Sequence, residues 1–131
     1  MLRYLFLIFF LPTIAFSHEL KPSIVNFQFI KQQQTLDFKL DIQLNLEAIL
    51  ANIDPSHDNT NESENSEYYN SLRKLNVSEL QNLFNQKLKD FTNNIQLFQN
   101  NQTVQFKIDN IFIPEVGDIA VSRETQITLS G

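Results

Sequence analysis

The sequence contains no cysteine and few basic residues, and each shortage excludes a class of protein. Without cysteine, neither a disulfide nor a thiolate metal site can hold a domain together. The 131 residues include ten lysines and arginines against fifteen acidic residues, which gives a net charge of −5. Nucleic-acid binding depends on clustered basic side chains and none cluster here, so we expect no nucleic-acid partner. After residue 17, no apolar run reaches the roughly 20 residues that a membrane-spanning helix needs.

The first seventeen residues have the layout of a secretory signal peptide. Arg3 supplies the positive charge, residues 4–11 are apolar, and Ser17 ends a cleavage motif of small residues. The alternative is an uncleaved membrane anchor, which the short apolar run and Pro12 disfavour. We therefore predict cleavage after Ser17 and an exported domain of residues 18–131, whose nine basic and fifteen acidic residues give a net charge of −6.

Residues 35–47 alternate strictly between apolar and polar side chains. A period of two predicts a long β-strand with one face on the core and the other in water, an arrangement common in antiparallel sheets. A similar alternation over residues 20–31 predicts a neighbouring strand, joined to the first through the polar segment 31–34. The phenylalanines after the predicted signal peptide fall mainly at positions expected to face inward, and we interpret them as core.

The middle of the chain changes to helical spacing. Apolar residues at 46, 49, 50 and 53 predict one or two helical turns, and a polar loop follows over residues 54–67. A short helix is expected over residues 67–75 and a longer one over 77–92, which Asn76 and Glu79 would begin as a capping box. The apolar side chains of the longer helix share one face, which we expect to pack on the sheet: Leu80, Leu83, Phe84, Leu88 and Phe91.

A period of two returns near the carboxyl end. Strands are predicted over residues 95–99 and 103–109, with a tight turn at Asn100 and Asn101, because asparagine tolerates positive φ. A final strand is predicted from Val121 onward. The whole pattern predicts a β-rich α+β domain, either an antiparallel sheet or an incomplete β-sandwich with two inserted helices. Because the last strand runs to Gly131 without a polar tail, one interpretation is that the chain is the front part of a longer protein.

Four segments occur in the following order along the chain: HELKP at 18–22, LNLEAIL at 44–50, YNSLR at 69–73 and VGD at 116–118. Together they resemble the exported amino-terminal region of HupE/UreJ-like membrane proteins of bacteria. The resemblance implies a strand-rich extracytoplasmic domain followed by a bundle of membrane helices, in proteins associated with hydrogenase and urease accessory roles and hence with nickel.

This chain departs from that family because it contains no membrane bundle, so a transport activity cannot reside in its residues. The bundle therefore becomes the partner that the resemblance implies. A truncated gene, a fragment and a free-standing version remain open. The function implied is a non-catalytic exported domain for interaction or metal handling, in the periplasm or at the outer face of the inner membrane.

The two histidines offer an alternative function, a free-standing periplasmic protein that binds copper or nickel. Cleavage after Ser17 would give His18 a free α-amine beside its imidazole, and both metals suit nitrogen ligands. His57 lies in the polar loop and is the other candidate ligand. The competing interpretation is that His18 simply follows the cleavage site and that His57 is a solvated loop residue.

Two further interpretations of the 54–67 loop are weaker. Asp54, Asp58, Glu62 and Glu64 carry oxygen ligands suited to calcium, but they lack the spacing and the turn glycine of a helix-loop-helix calcium site. Residues 56–58 place serine, histidine and aspartate side by side, whereas a catalytic triad converges from separate segments. We therefore predict no enzymatic activity.

Overall fold

The computed structural model describes residues 21–31, 36–57 and 59–131, and the predicted leader and His18 lie outside them. In this part of the chain a four-stranded antiparallel sheet has the order β1-β2-β6-β5, and β3 and β4 form a separate hairpin. The prediction of a β-rich α+β fold is confirmed. The elements are β1 (Ile24–Lys31), β2 (Leu36–Leu44), α1 (Leu46–Leu50), α2 (Ser66–Leu72), α3 (Val77–Asn93), β3 (Leu97–Gln99), β4 (Gln102–Val104), β5 (Lys107–Phe112) and β6 (Thr125–Ser130).

Strand β2 is the long alternating strand, and it lies inside the sheet between β1 and β6. Its apolar side chains from Phe38 to Leu44 are buried, while the intervening polar side chains are partly exposed. The predicted extent to Glu47 is wrong, because the side chain of Asn45 accepts a hydrogen bond from the Ala48 amide (3.0 Å) and begins α1. Glu47 therefore lies in the first turn of a helix and is buried, not on the wet face of a strand.

The helices form one core with the inner face of the sheet. Leu80 and Phe84 of α3 are fully buried, and they belong to the same cluster as Leu40, Ile127 and Leu129. The predicted capping box is confirmed: Asn76 Oδ1 accepts from the Glu79 amide, and Glu79 Oε2 accepts from the Asn76 amide, each at 3.0 Å. Among the residues described, no helix has the length and the apolar character needed to cross a bilayer.

The hairpin of β3 and β4 turns as predicted, with Asn100 and Asn101 at φ values of 51° and 63°. The prediction of one strand over residues 103–109 is wrong. The strand is interrupted at Gln105 and Phe106, where Phe106 packs against the core, so that β4 pairs with β3 and β5 pairs with β6. The final strand begins at Thr125, later than the predicted Val121.

The outer face of the sheet carries hydrogen-bonded carboxylates. The Thr128 hydroxyl donates to Asp41 Oδ1 (2.7 Å), and the Lys39 ammonium lies 3.1 Å from Asp41 Oδ2. These two partners, Thr128 first, hold the pKa of Asp41 below its ordinary value of 3.8. A hydrogen bond with Ser130 likewise lowers the pKa of Asp109.

We expect Asp41→Asn to lower the urea midpoint at neutral pH. Because the pKa of Asp41 is depressed in the folded state, its contribution to stability is complete above the unfolded value and is lost as pH falls through the folded value. The difference between wild type and variant should therefore shrink as pH falls below 3.8 and vanish once Asp41 is protonated in the folded protein as well. Asp37→Asn on the same strand face is the control, since Thr128 lies opposite Asp41. A difference that does not shrink as pH falls below 3.8 would contradict the assignment.

Candidate functional site

The inner face of edge strand β1 is apolar but largely uncovered. Val25, Phe27 and Phe29 lie opposite Ile42, Leu40 and Phe38 and therefore share the core face of the sheet. Even so, they are 55%, 46% and 68% exposed. In the described part of the chain, the core cluster draws side chains from β2, β6 and the helices but none from β1. The helices therefore do not extend over the edge strand β1.

The interpretation of the phenylalanines as core is therefore wrong for several of them. Besides Phe27 and Phe29, the side chains of Phe98 and Phe112 are 64% and 52% exposed. On β1 the alternation is that of a half-buried strand, but an edge strand is buried only where another layer extends over it. The periodicity of a sequence records which side chains share a face, not whether that face is covered.

Three phenylalanine rings form a cluster along the uncovered face. The ring centroids of Phe27 and Phe29 are 4.7 Å apart, and those of Phe27 and Phe38 are 5.6 Å apart with nearly parallel planes (12°). Phe38 itself is buried, so the exposed rings rest on a fixed neighbour in β2. Such rings bury a large apolar area when a partner covers them.

The two edges of the sheet differ in how they are protected against pairing. Strand β5 has a bulge between Ile108 and Asn110, and its Lys107 and Asp109 form an ion pair at 3.3 Å. Bulges and charges are the means by which natural edge strands avoid further pairing. Strand β1 pairs with β2 over eight consecutive residues without a bulge and carries no charge before Lys31. Among the residues that the structure describes, it is the open edge of this sheet.

A groove lies at the end of the sheet where β1 begins. It comprises a cavity of about 160 Å³ beside another of about 370 Å³, and Lys21, Pro22 and Asn45 line both. The Lys21 ammonium forms an exposed ion pair with Glu124 (3.2 Å) at the first of them. The remaining lining is Ser23, Ile24, Gln43, Leu44, Ala48, Ile49, Ile53, Pro55, Ser122 and Arg123.

A buried ion pair lies beside this groove. Arg123 Nε donates to Glu47 Oε1 at 2.6 Å, and both side chains are more than nine-tenths buried. The two terminal nitrogens of Arg123 donate to the carbonyls of Leu75 (3.0 Å) and Leu72 (3.3 Å). The ion pair thus joins α1, the end of α2 and the segment before β6. Because both side chains are almost fully buried, the pair holds these three segments together.

Two of the segments that carry the family resemblance meet at this place. The Asn45 side-chain amide donates to the Tyr69 hydroxyl (2.9 Å), which connects segment 44–50 with segment 69–73. Neither Arg123 nor its pairing with Glu47 was predicted from the sequence. A charge inside the apolar segment 44–50 was the available signal, but it does not identify a partner 76 residues away.

The predicted metal ligands are only partly described. His57 Nδ1 lies 3.7 Å from Glu62 Oε2, and its side chain is one-third exposed. Within residues 21–31, 36–57 and 59–131, no three His, Cys, Asp or Glu side chains are grouped so that they could hold a metal ion. A site that combines His18 and His57 remains a prediction, because His18 lies outside the described residues.

The candidate calcium ligands are also only partly described, because Asp58 lies outside the described residues. Asp54 begins a local turn, in which its Oδ1 accepts a hydrogen bond from the Ser56 amide at 2.8 Å. That hydrogen bond lowers the pKa of Asp54. The observed role of this carboxylate is therefore to shape the loop.

Comparison with known proteins adds no relative from which a function could be transferred. No protein-family model, no curated protein and no solved structure matches this chain. The resemblance to HupE/UreJ-like proteins thus stays a prediction from the four segments. The site best supported by geometry is the uncovered edge strand β1.

Proposed function

We propose that this chain is an exported, non-catalytic interaction domain, similar in role to the extracytoplasmic region of HupE/UreJ-like membrane proteins, and that β1 is its binding strand. One observation carries the proposal. All the apolar side chains of β1 are 44–68% exposed, beside a sheet edge that has no bulge and carries no charge before Lys31: Ile24, Val25, Phe27, Phe29 and Ile30. Edge strands of this kind pair readily with an added strand.

The distribution of polar groups supports a binding role over a catalytic one. Glu47 and Arg123 are buried and engaged with each other. His57 has only Glu62 as a charged neighbour at salt-bridge distance among the residues described. The large exposed feature is apolar, and apolar surface favours association. Interaction, not metal handling, is the part of the implied function that this geometry favours.

Photo-crosslinking in living cells tests the proposal. The full chain, with a photoreactive amino acid in place of Phe29, is expressed in a Gram-negative bacterium and irradiated. We expect a covalent adduct in the periplasmic fraction, containing a chain whose mass shows that it begins at His18. The matched control carries the same group in place of Phe98, which is also exposed (64%) but lies on β3, outside the sheet that contains β1.

Each part of the proposal can fail separately. Equal adduct yields at the two positions, or none at position 29, would overturn β1 as the binding strand. A chain that retains Met1 and stays in the cytoplasm would overturn the predicted export.

A further inference from the structure

We propose that the partner of β1 is a second copy of this chain. In this arrangement, which rests on the proposed role of β1 as binding strand, two β1 strands pair antiparallel about a two-fold axis at Phe27. The two four-stranded sheets then join into one sheet of eight strands. The contact is isologous, since the same strand supplies both sides of it.

The sequence of β1 is symmetric in residue type about Phe27. Residues 24–30 read Ile-Val-Asn-Phe-Gln-Phe-Ile, so that apolar and amide side chains occur in the same order from either end. Antiparallel pairing centred on Phe27 places Ile24 opposite Ile30, Val25 opposite Phe29, and Asn26 opposite Gln28. Every apolar side chain thus meets an apolar one and every amide meets an amide, which favours self-pairing over pairing with an unrelated strand.

Other registers lose this match. A shift by one residue places Phe27 opposite Gln28 and Asn26 opposite Phe29. A shift by two residues, centred on Gln28, places Ile30 opposite Asn26. Because opposite residues in an antiparallel pair share a face, each of these shifts sets apolar side chains against amides. The register about Phe27 is therefore the one that the side chains select.

The charge distribution also permits two copies to meet at β1. The chain has a net charge of −5, so most pairs of its surfaces repel each other. Between Ile24 and Ile30 the strand carries no charge, and in the proposed register Lys31 lies opposite Ser23, not opposite the other Lys31. The contact therefore contains no directly opposed like charges.

The exposed phenylalanine rings form the inner, apolar face of this contact. In the proposed register Phe29 of each copy lies against Val25 of the other, and the two Phe27 rings adjoin at the axis. Each Phe27 already stacks on its own Phe38, so a row of six phenylalanine rings would cross the contact. On the outer face, Ile24 and Ile30, 52% and 44% exposed in one copy, lie opposite each other and pack side by side across the contact.

The absence of cysteine from the chain allows a direct test of register. At the axis the two Cα atoms of residue 27 would be about 4.5–5.5 Å apart, within the range that a disulfide spans. The full chain bearing Phe27→Cys should therefore be converted to a covalent dimer by mild oxidation. Phe29→Cys is the matched control, because residue 29 of the second copy would be roughly 14 Å away, and it should stay monomeric. Val25→Cys combined with Phe29→Cys should crosslink again.

Sedimentation equilibrium of the unmodified chain tests association without crosslinking, and twice the chain mass is expected. Phe27→Lys should reduce this to a monomer with an unchanged circular dichroism spectrum, whereas Phe98→Lys, at a phenylalanine of β3 that is more exposed (64% against 46%), should remain dimeric. A monomeric wild type, or oxidation that links Phe29→Cys as readily as Phe27→Cys, would overturn the proposal. If the photo-adduct at position 29 then contains a different protein, only the second copy is refuted; if no adduct forms, β1 as binding strand is refuted as well.

Discussion

Arg123→Ala is expected to lower the free energy of unfolding by about 3–5 kcal/mol. The substitution leaves the Glu47 carboxylate, which is 1% exposed, without the guanidinium that lies 2.6 Å from it. It also removes the donors to the carbonyls of Leu72 and Leu75. A buried charge without a partner costs far more than the net gain of the pair, because its desolvation is no longer compensated. Urea denaturation at neutral pH measures the loss.

The exposed ion pair provides the matched control. Lys21 and Glu124 lie 3.2 Å apart with side chains more than half exposed, so Lys21→Ala should cost only about 0–1 kcal/mol. Replacing both members of the buried pair by apolar side chains of similar length, Glu47→Leu with Arg123→Met, should recover most of the loss caused by Arg123→Ala. If Arg123→Ala cost no more than Lys21→Ala, the pair would have no structural importance.

The buried pair illustrates what a single sequence cannot reveal about this fold. Glu47 continues the polar phase of the alternation that starts at residue 35, and by that pattern it belongs on the wet face of a strand. The strand ends earlier because Asn45 caps α1, and the resulting change of direction places Glu47 inside the protein. Its partner Arg123 is distant in sequence and carries no local signal. Long-range pairing is a property of the packed layers, not of the local pattern.

Elements determined by neighbouring residues were predicted well. The period of two in β2, the capping box at Asn76 and the positive φ at Asn100 each depend on a few adjacent side chains. The exposure of the candidate site, in contrast, does not depend on adjacent side chains. The sequence correctly predicts β1 as a strand, but its exposure follows from the limited width of the helix layer, which only the assembled sheet shows. The alternation in β1 would be the same whether or not helices covered the strand.

Phe84→Ala should be the other severely destabilising substitution, at about 3–5 kcal/mol. Phe84 has no solvent exposure, and its ring packs edge-on against Phe91 with centroids 5.2 Å apart. Removing it would leave a cavity at the contact between α3 and the sheet, where the surrounding side chains can close in only partly. Since a domain of this size is stable by roughly 5–15 kcal/mol in total, the variant is expected to unfold at a much lower urea concentration.

Two comparison variants, at Leu83 and Phe98, show whether burial is the reason for that loss. Leu83 is adjacent in sequence and packs against the edge of the same core while remaining partly exposed, so Leu83→Ala should cost less than Phe84→Ala. Phe98 is the same residue type at 64% exposure, and Phe98→Ala should change stability by less than about 0.5 kcal/mol. Equal losses for Phe84 and Phe98 would mean that α3 does not cover the sheet as described. The graded order Phe84, Leu83, Phe98 instead identifies the α3 face that closes the core, and it distinguishes that face from exposed aromatic side chains such as Phe98.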